Sequence, residues 1–276
     1  MSLVEALILG IVQGLTEFLP ISSSAHLALL QSMLPGFSQP GLLFDIMLHC
    51  GTLVAVVLYL RRDIKWLLAS LFSRRKAGTS PSHQHGRKIV WYLVLALIPT
   101  AFIGYFGRSW VMLAFTNPLA IALLLLITGW LLFGTRFFRQ PGKGVEGMRR
   151  RDAILIGIAQ GVATFPGISR SGATIATGIF AGIDRELAAR FSFLASIPAI
   201  VGALILDLYR SFPLGSVSEG LIFYYISGTI AAAIIGYFAL AILFRIIKGF
   251  RLSSFAYYCW GLGLVVIGIS FLNKGL

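Results

Sequence analysis

Gln13 and Glu17 lie four residues apart in an otherwise apolar segment, and the polar stretch Pro20-Ile21-Ser22-Ser23-Ser24-Ala25-His26 follows them. Residues four apart share one face of a helix. A carboxylate inside a membrane helix costs roughly 2.5–3.5 kcal/mol on the insertion scale, so Glu17 calls for a cavity, a cation or a basic partner. Serines at a turn before a helix commonly cap its N-terminus. That accounts for one or two of the three hydroxyls and leaves His26 unexplained. A second turn, Pro166-Gly167-Ile168-Ser169-Arg170-Ser171-Gly172-Ala173-Thr174, sets Arg170 in apolar surroundings with no acid near it in sequence. Arginine with Ser and Thr hydroxyls at a helix start is an oxyanion site: fixed charge, several donors and a positive dipole end. The bland alternative is a structural ion pair between Arg170 and Glu17, and the two readings are compatible.

If the two turns meet, one cavity holds Glu17, Ser23, His26, Ser169, Arg170, Ser171 and Thr174. Such a set offers an acid for a hard cation, a clamp for an anion, and a nucleophile or acid–base group. It suits phosphoryl transfer better than proton-coupled anion transport. Asp45 and His49, also four apart, could support the site from behind. Their alternative roles are an interfacial cap and a packed histidine.

The elements that must position these groups follow from composition. The chain has 276 residues, 57% hydrophobic and 12% charged, with mean hydropathy +0.87. Soluble domains are about 45–50% apolar and about 25% charged, so an ordinary water-soluble fold is excluded, as is disorder. A net charge of +13 would suggest nucleic acid in a soluble protein. In a membrane chain it reads as basic loops, with no nucleic-acid partner. Cys50 and Cys259 sit in apolar runs without metal-ligand spacing and read as core thiols.

Long apolar runs at 42–60, 89–106, 118–134, 187–208, 221–244 and 255–272 predict six spanning helices. Four shorter apolar segments, 3–18, 24–34, 152–165 and 172–182, end at Pro or Gly turns or before charge. Each is half a span in length. Paired, they predict two re-entrant helical hairpins, a backbone tolerated at membrane depth only where it is buried in protein or lines a wet cavity. The expected fold is therefore an all-α integral membrane protein with six spans and two re-entrant hairpins.

Nineteen of the basic residues fall in four loops: Arg61 to Lys88, Arg136 to Arg151, Arg185 with Arg190, and Arg245 to Arg251. Only Arg108, Arg210 and Lys274 fall on the other side, and Arg170 lies in its turn. The positive-inside rule places the basic loops in the cytoplasm. The first hairpin then enters from outside and the second from inside. The stretch Ala77–Gly86, with His83 and His85, is expected to be a solvated loop.

Residues 10–26 (GIVQGLTEFLPISSSAH) and 157–173 (GIAQGVATFPGISRSGA) match at 8 of 17 positions with an offset of 147. The chain thus divides into two repeats. Residues 1–134 carry the hairpin 1–36 and three spans. Residues 135–276 carry a basic linker, the hairpin 152–182 and three more. With three spans between the hairpins the second repeat is inverted, an architecture common among secondary transporters.

At these motifs the sequence resembles the BacA-type undecaprenyl-diphosphate phosphatase family of bacterial membranes. The resemblance rests on Gln13 through His26 and Pro166 through Thr174, with Phe44-Asp45 and His49 opening the first span. It extends over essentially the whole chain. It implies removal of the terminal phosphate from a C55 isoprenyl diphosphate, regenerating the lipid carrier for envelope polymers, with a divalent cation such as Mg²⁺ or Ca²⁺. By motif position, Glu17 and Gln13 belong to the metal-associated motif. Ser23 and His26 match the nucleophile and acid–base positions. Ser169, Arg170, Ser171 and Thr174 match the phosphate-binding turn. Gln13 departs from the pattern in having no charge, which weighs against a two-carboxylate metal site. The implied location is the bacterial inner membrane; the outer face is favoured for the site because the first hairpin enters there. A glycine-rich stretch, Gly261–Gly268, allows a homodimer. The competing class is a transporter, a flippase for the lipid phosphate or an anion carrier.

Overall fold

A computed structural model describes residues 1–34, 43–73, 81–138, 142–211, 219–249 and 252–272. Pro35-Gly36, Leu42, Arg74–Lys76, Ala77–Ser80, Arg139, Arg251, Lys274 and the side chain of Arg210 lie outside the described residues. Twelve α-helices follow in order among them: α1 (Leu3–Phe18), α2 (Ser23–Met33), α3 (Leu43–Tyr59), α4 (Arg61–Phe72), α5 (Pro81–Phe106), α6 (Arg108–Phe115), α7 (Pro118–Gly134), α8 (Arg150–Val162), α9 (Arg170–Phe180), α10 (Arg185–Ser211), α11 (Glu219–Lys248) and α12 (Ser254–Leu272).

Five of these, α5, α7, α10, α11 and α12, are long and apolar enough to cross a membrane. The expected first span, α3, is only 17 residues long. It turns by 71° into α4, and the bent pair makes a sixth candidate if taken as one span. The bend comes where the apolar run meets Arg61-Arg62-Asp63. Beyond it, α4 exposes Leu68, Leu71 and Phe72, the pattern of a helix lying along an interface. Part of the expected polar loop is also helical, because α5 begins at Pro81. It is tied down by partners distant in sequence: the Trp66 indole donates to Ser82 Oγ at 3.1 Å and Arg87 Nε to the Ser70 carbonyl at 2.8 Å.

The four short apolar segments form two helix–turn–helix units, α1–α2 and α8–α9. The glycines that make α1 and α8 narrow on one side decide where each packs. Gly10 and Gly14 face Gly228, Ala232 and Gly236 of α11, while Gly157 and Gly161 face Ala96, Pro99 and Ile103 of α5. A Cβ at Gly157 would collide with the Ala96 carbonyl, as one at Gly10 would with that of Gly228. Gly157→Ala is therefore expected to destabilise the protein by about 1–3 kcal/mol, the usual cost of overpacking. Thermal unfolding in detergent checks this, and an unchanged midpoint contradicts it.

Each unit runs alongside a helix of the opposite half of the chain. On α11 the register of α1, from Gly10 at Gly228 to Phe18 at Gly236, ends near that helix's middle. Described charged residues of the basic loops meet one another. Arg190 of α10 grips Asp63 of α4 at 2.7 Å, and Glu186 bonds both Arg190 and Lys248. Lys88 donates to the Glu146 carbonyl, and Lys143 meets the fully buried Asp152 at 2.6 Å. One large core includes Phe18, Leu60, Leu132, Phe191, Phe193 and Leu243.

Candidate active site

Both turns are shaped by local chemistry. Pro20 follows α1, and Ser22 then takes a positive φ of 68°, the single non-glycine residue to do so among the described residues. That conformation is disfavoured for a side chain with a Cβ and persists only when neighbours hold it. Here Ser22 Oγ accepts from the Gly167 N–H at 3.1 Å, and the Ser22 carbonyl accepts from His26 Nδ1 at 2.7 Å. On the other side Gly167 has φ +103°, and a Cβ there would strike the Ile121 carbonyl of α7. Its carbonyl accepts from Thr128 Oγ1, which itself accepts from the Ser169 N–H. Ser169 caps α9, accepting from the Gly172 N–H at 3.1 Å. Arg170 is thus held as the first residue of a helix whose positive end faces the other turn.

The two turns meet. Arg170 Nη2 donates to Glu17 Oε1 at 2.6 Å. Glu17 Oε2 accepts from Ser23 Oγ at 2.6 Å and from Gln13 Nε2 at 3.1 Å. His49 Nε2 stands 3.8 Å from the same oxygen, its Nδ1 bonded to the Asp45 carbonyl. Glu17 is only 7% exposed, so its charge is balanced by Arg170 and by this set of donors. Two polar atoms at the cluster are buried without a partner among the described residues: Arg170 Nη1 and Gln13 Oε1. A buried unpaired guanidinium nitrogen costs free energy, and an anion entering beside α9 would satisfy it.

The other expected residues are placed as follows. Ser171 Oγ reaches Ser169 Oγ and the Leu19 carbonyl, bridging the two turns. Thr174 is fully buried one turn into α9, where its hydroxyl bonds the Arg170 carbonyl and Ser192 Oγ. It supports the helix and does not line the cluster. His26 is turned away from Glu17, its Nε2 bonded to Tyr258 OH on α12 at 2.8 Å. The histidine beside Glu17 is His49. Asp45 accepts from Gln31 of α2 at 2.8 Å. Gln160, the repeat counterpart of Gln13, stays outside the cluster and bonds Thr100 and the Ala195 carbonyl. Tyr258 and Thr128 have no local signal in the sequence, because both act on the turns from helices distant along the chain.

No group of three or more His, Cys, Asp or Glu is placed to hold a metal among the described residues. The donor chemistry nonetheless fits a hard cation held mainly by substrate oxygens. Glu17 supplies one carboxylate and the orphaned Gln13 Oε1 a neutral oxygen beside it, the sparse protein ligation typical of Mg²⁺ at phosphate sites.

A family profile described as "Bacitracin resistance protein BacA" matches residues 6–265. A curated relative from Syntrophotalea carbinolica, named undecaprenyl-diphosphatase, is 42% identical over 270 residues, spanning 98% of this chain and 100% of its own. Relatives of the same name come from Desulforapulum autotrophicum, 42% identical over 97% and 98% of the two chains, and from Methanobrevibacter smithii, 38% identical over 96% and 97%.

Proposed function

The chain belongs to the bacitracin resistance protein BacA family, and we propose that the cluster around Glu17 and Arg170 is its catalytic centre. The protein is a membrane undecaprenyl-diphosphatase, hydrolysing undecaprenyl diphosphate to undecaprenyl phosphate and inorganic phosphate. The observation that carries the site is Arg170. One nitrogen grips Glu17 and the other is buried with no partner among the described residues, as a clamp awaiting an anion would be.

In this reading the terminal phosphate sits at the start of α9, against Arg170 Nη1, the Ser169 and Ser171 hydroxyls and the positive end of the helix dipole. Thr174 holds that turn in shape. Ser23 attacks phosphorus while Glu17, its hydrogen-bond acceptor, takes the proton. The Oγ–P bond forms, the bridging P–O bond breaks, and undecaprenyl phosphate leaves. Water then hydrolyses the phosphoserine, with His26 available as acid or base. His49 and Asp45 support Glu17 and α2 from α3. Glu17 and Arg170 nearly cancel in charge, so a diphosphate needs a further cation. A Mg²⁺ or Ca²⁺ ion held by Glu17, Gln13 and substrate oxygens would neutralise the charge developing in the transition state.

The two helix–turn–helix units are re-entrant hairpins of an inverted repeat, 1–134 and 135–276. What supports this is the reciprocal packing of α1 on α11 and of α8 on α5, with matching glycines in each contact. By the positive-inside rule the basic loops are cytoplasmic in the bacterial inner membrane, and the cluster opens outward. The activity recycles the lipid carrier of envelope polymers. Gly261 and Gly268 face open space, which suits close packing of a second copy as a homodimer. The flippase reading is not favoured, because the relatives are named for diphosphatase activity.

The test is phosphate release from a polyprenyl diphosphate by detergent-purified protein. Release is expected, lost on chelation and restored by Mg²⁺ or Ca²⁺. A folded protein inactive across several divalent ions and chain lengths would overturn the assignment.

A further inference from the structure

His26 carries a constraint that none of its motif neighbours supplies. Its Nδ1 lies 2.7 Å from the Ser22 carbonyl, which can only accept, so Nδ1 bears the proton. In the neutral ring Nε2 is then the basic nitrogen, and it is the atom through which His26 must act as nucleophile, acid or base. That atom is occupied: Tyr258 OH lies 2.8 Å away, with the two rings nearly parallel at 8°. Around it, α12 is fixed on both sides. The Cys259 thiol donates to the Pro20 carbonyl at 3.7 Å, and the Trp260 indole to the Leu126 carbonyl of α7 at 3.2 Å. Three consecutive residues of the last helix thus address the first turn, the first histidine and the helix behind the second turn.

We infer that Tyr258 is a positioning residue of the phosphatase, its hydroxyl donating to His26 Nε2 and holding the ring in the tautomer the reaction uses. The inference rests on the phosphatase reading of the site. It gives the hydroxyl of a tyrosine 48% exposed on a membrane helix a partner in His26, and a polar group without one in apolar surroundings would be costly. It also separates the two motif residues. Ser23 is poised on Glu17, while His26 waits on Tyr258, so the two do not share a hydrogen bond at rest.

The experiment compares Tyr258→Phe with Tyr257→Phe in the full-length, detergent-purified protein. Tyr257 packs against Phe133 and Trp260 and has no part in the cluster. Two quantities are read: kcat and KM for polyprenyl diphosphate, and the rate at which diethylpyrocarbonate modifies His26, followed by peptide mass spectrometry. Tyr258→Phe keeps the ring and removes the hydroxyl. It is expected to uncover Nε2 and raise the modification rate several-fold. Loss of one hydrogen bond, about 1 kcal/mol, predicts a fall in kcat of about fivefold with KM little changed. Tyr257→Phe should move neither. An unchanged modification rate, or a loss confined to KM, would overturn the inference. If even the wild type releases no phosphate, the phosphatase reading fails instead, and the modification rate still decides whether Tyr258 covers His26.

Discussion

Arg170→Lys is expected to lose phosphate release by at least about a hundredfold, close to the loss in Arg170→Ala, since removing one preorganised charge stabiliser costs about 10²–10³ in kcat. The reason is the division of labour within the guanidinium. Nη2 is committed to Glu17 at 2.6 Å and Nη1 is buried with no partner among the described residues. A lysine ammonium is a single point that can satisfy the carboxylate or the phosphate, not both in the same geometry. The two variants should differ in stability. Alanine leaves a buried Glu17 without its countercharge, a loss of about 3–5 kcal/mol in comparable buried pairs. Lysine keeps the charge balance and should unfold close to the wild type. The measurement is kcat beside the thermal midpoint for all three proteins. A lysine variant within about fivefold of wild-type activity would reduce Arg170 to a structural countercharge and move the phosphate clamp elsewhere.

That division could not have been read from sequence, although the pairing was among its open readings. Pro20 and Pro166-Gly167 punctuate the chain so sharply that both turns and all four short helices were legible. The pairing of Glu17 with Arg170 was one of the readings left open by the cost of leaving either charge alone in an apolar segment, beside a cavity or a cation for Glu17. What stayed hidden depends on how helices cross. His26 and His49 are equally suggestive as letters. Only the seating of α1 and α3 side by side on α11 brings His49 to Glu17 and leaves His26 to α12. Thr174 sits at the right spacing for a phosphate ligand, yet one turn into α9 its hydroxyl falls against Ser192. The break between α3 and α4 carried a signal that a search for long apolar runs passes over. Ile64, Leu67, Leu68 and Leu71 repeat at helical spacing right after Arg61-Arg62-Asp63, which marks an amphipathic helix rather than a loop. The early start of α5 had no local signal, because Trp66 and Ser70 hold it from the preceding helix.

Glu17→Gln and Ser23→Ala should each lower kcat by about a thousandfold, within the range for loss of general-base catalysis, and the double variant should be no worse than the poorer single one. The two side chains share one short bond, Ser23 Oγ to Glu17 Oε2 at 2.6 Å, a length typical of a hydroxyl on a charged acceptor. Groups that act as a unit lose their effect together, so their losses do not multiply. Glu17→Gln nearly preserves the volume of the side chain while removing its charge, so a folded but inactive protein shows that the reaction needs the carboxylate itself and not its packing. His26→Ala should lose less than either, because its Nε2 faces Tyr258 rather than the nucleophile at rest. The intermediate provides the chemical check. Quenching the reaction in acid with phosphate-labelled substrate should trap label on the peptide containing Ser23, since a phosphoserine ester survives acid and a phosphohistidine does not. Acid-labile label at His26, together with activity retained in Ser23→Ala, would reverse the two roles. It would mean that substrate entry breaks the Tyr258 contact and swings the histidine into the cavity beside Arg170.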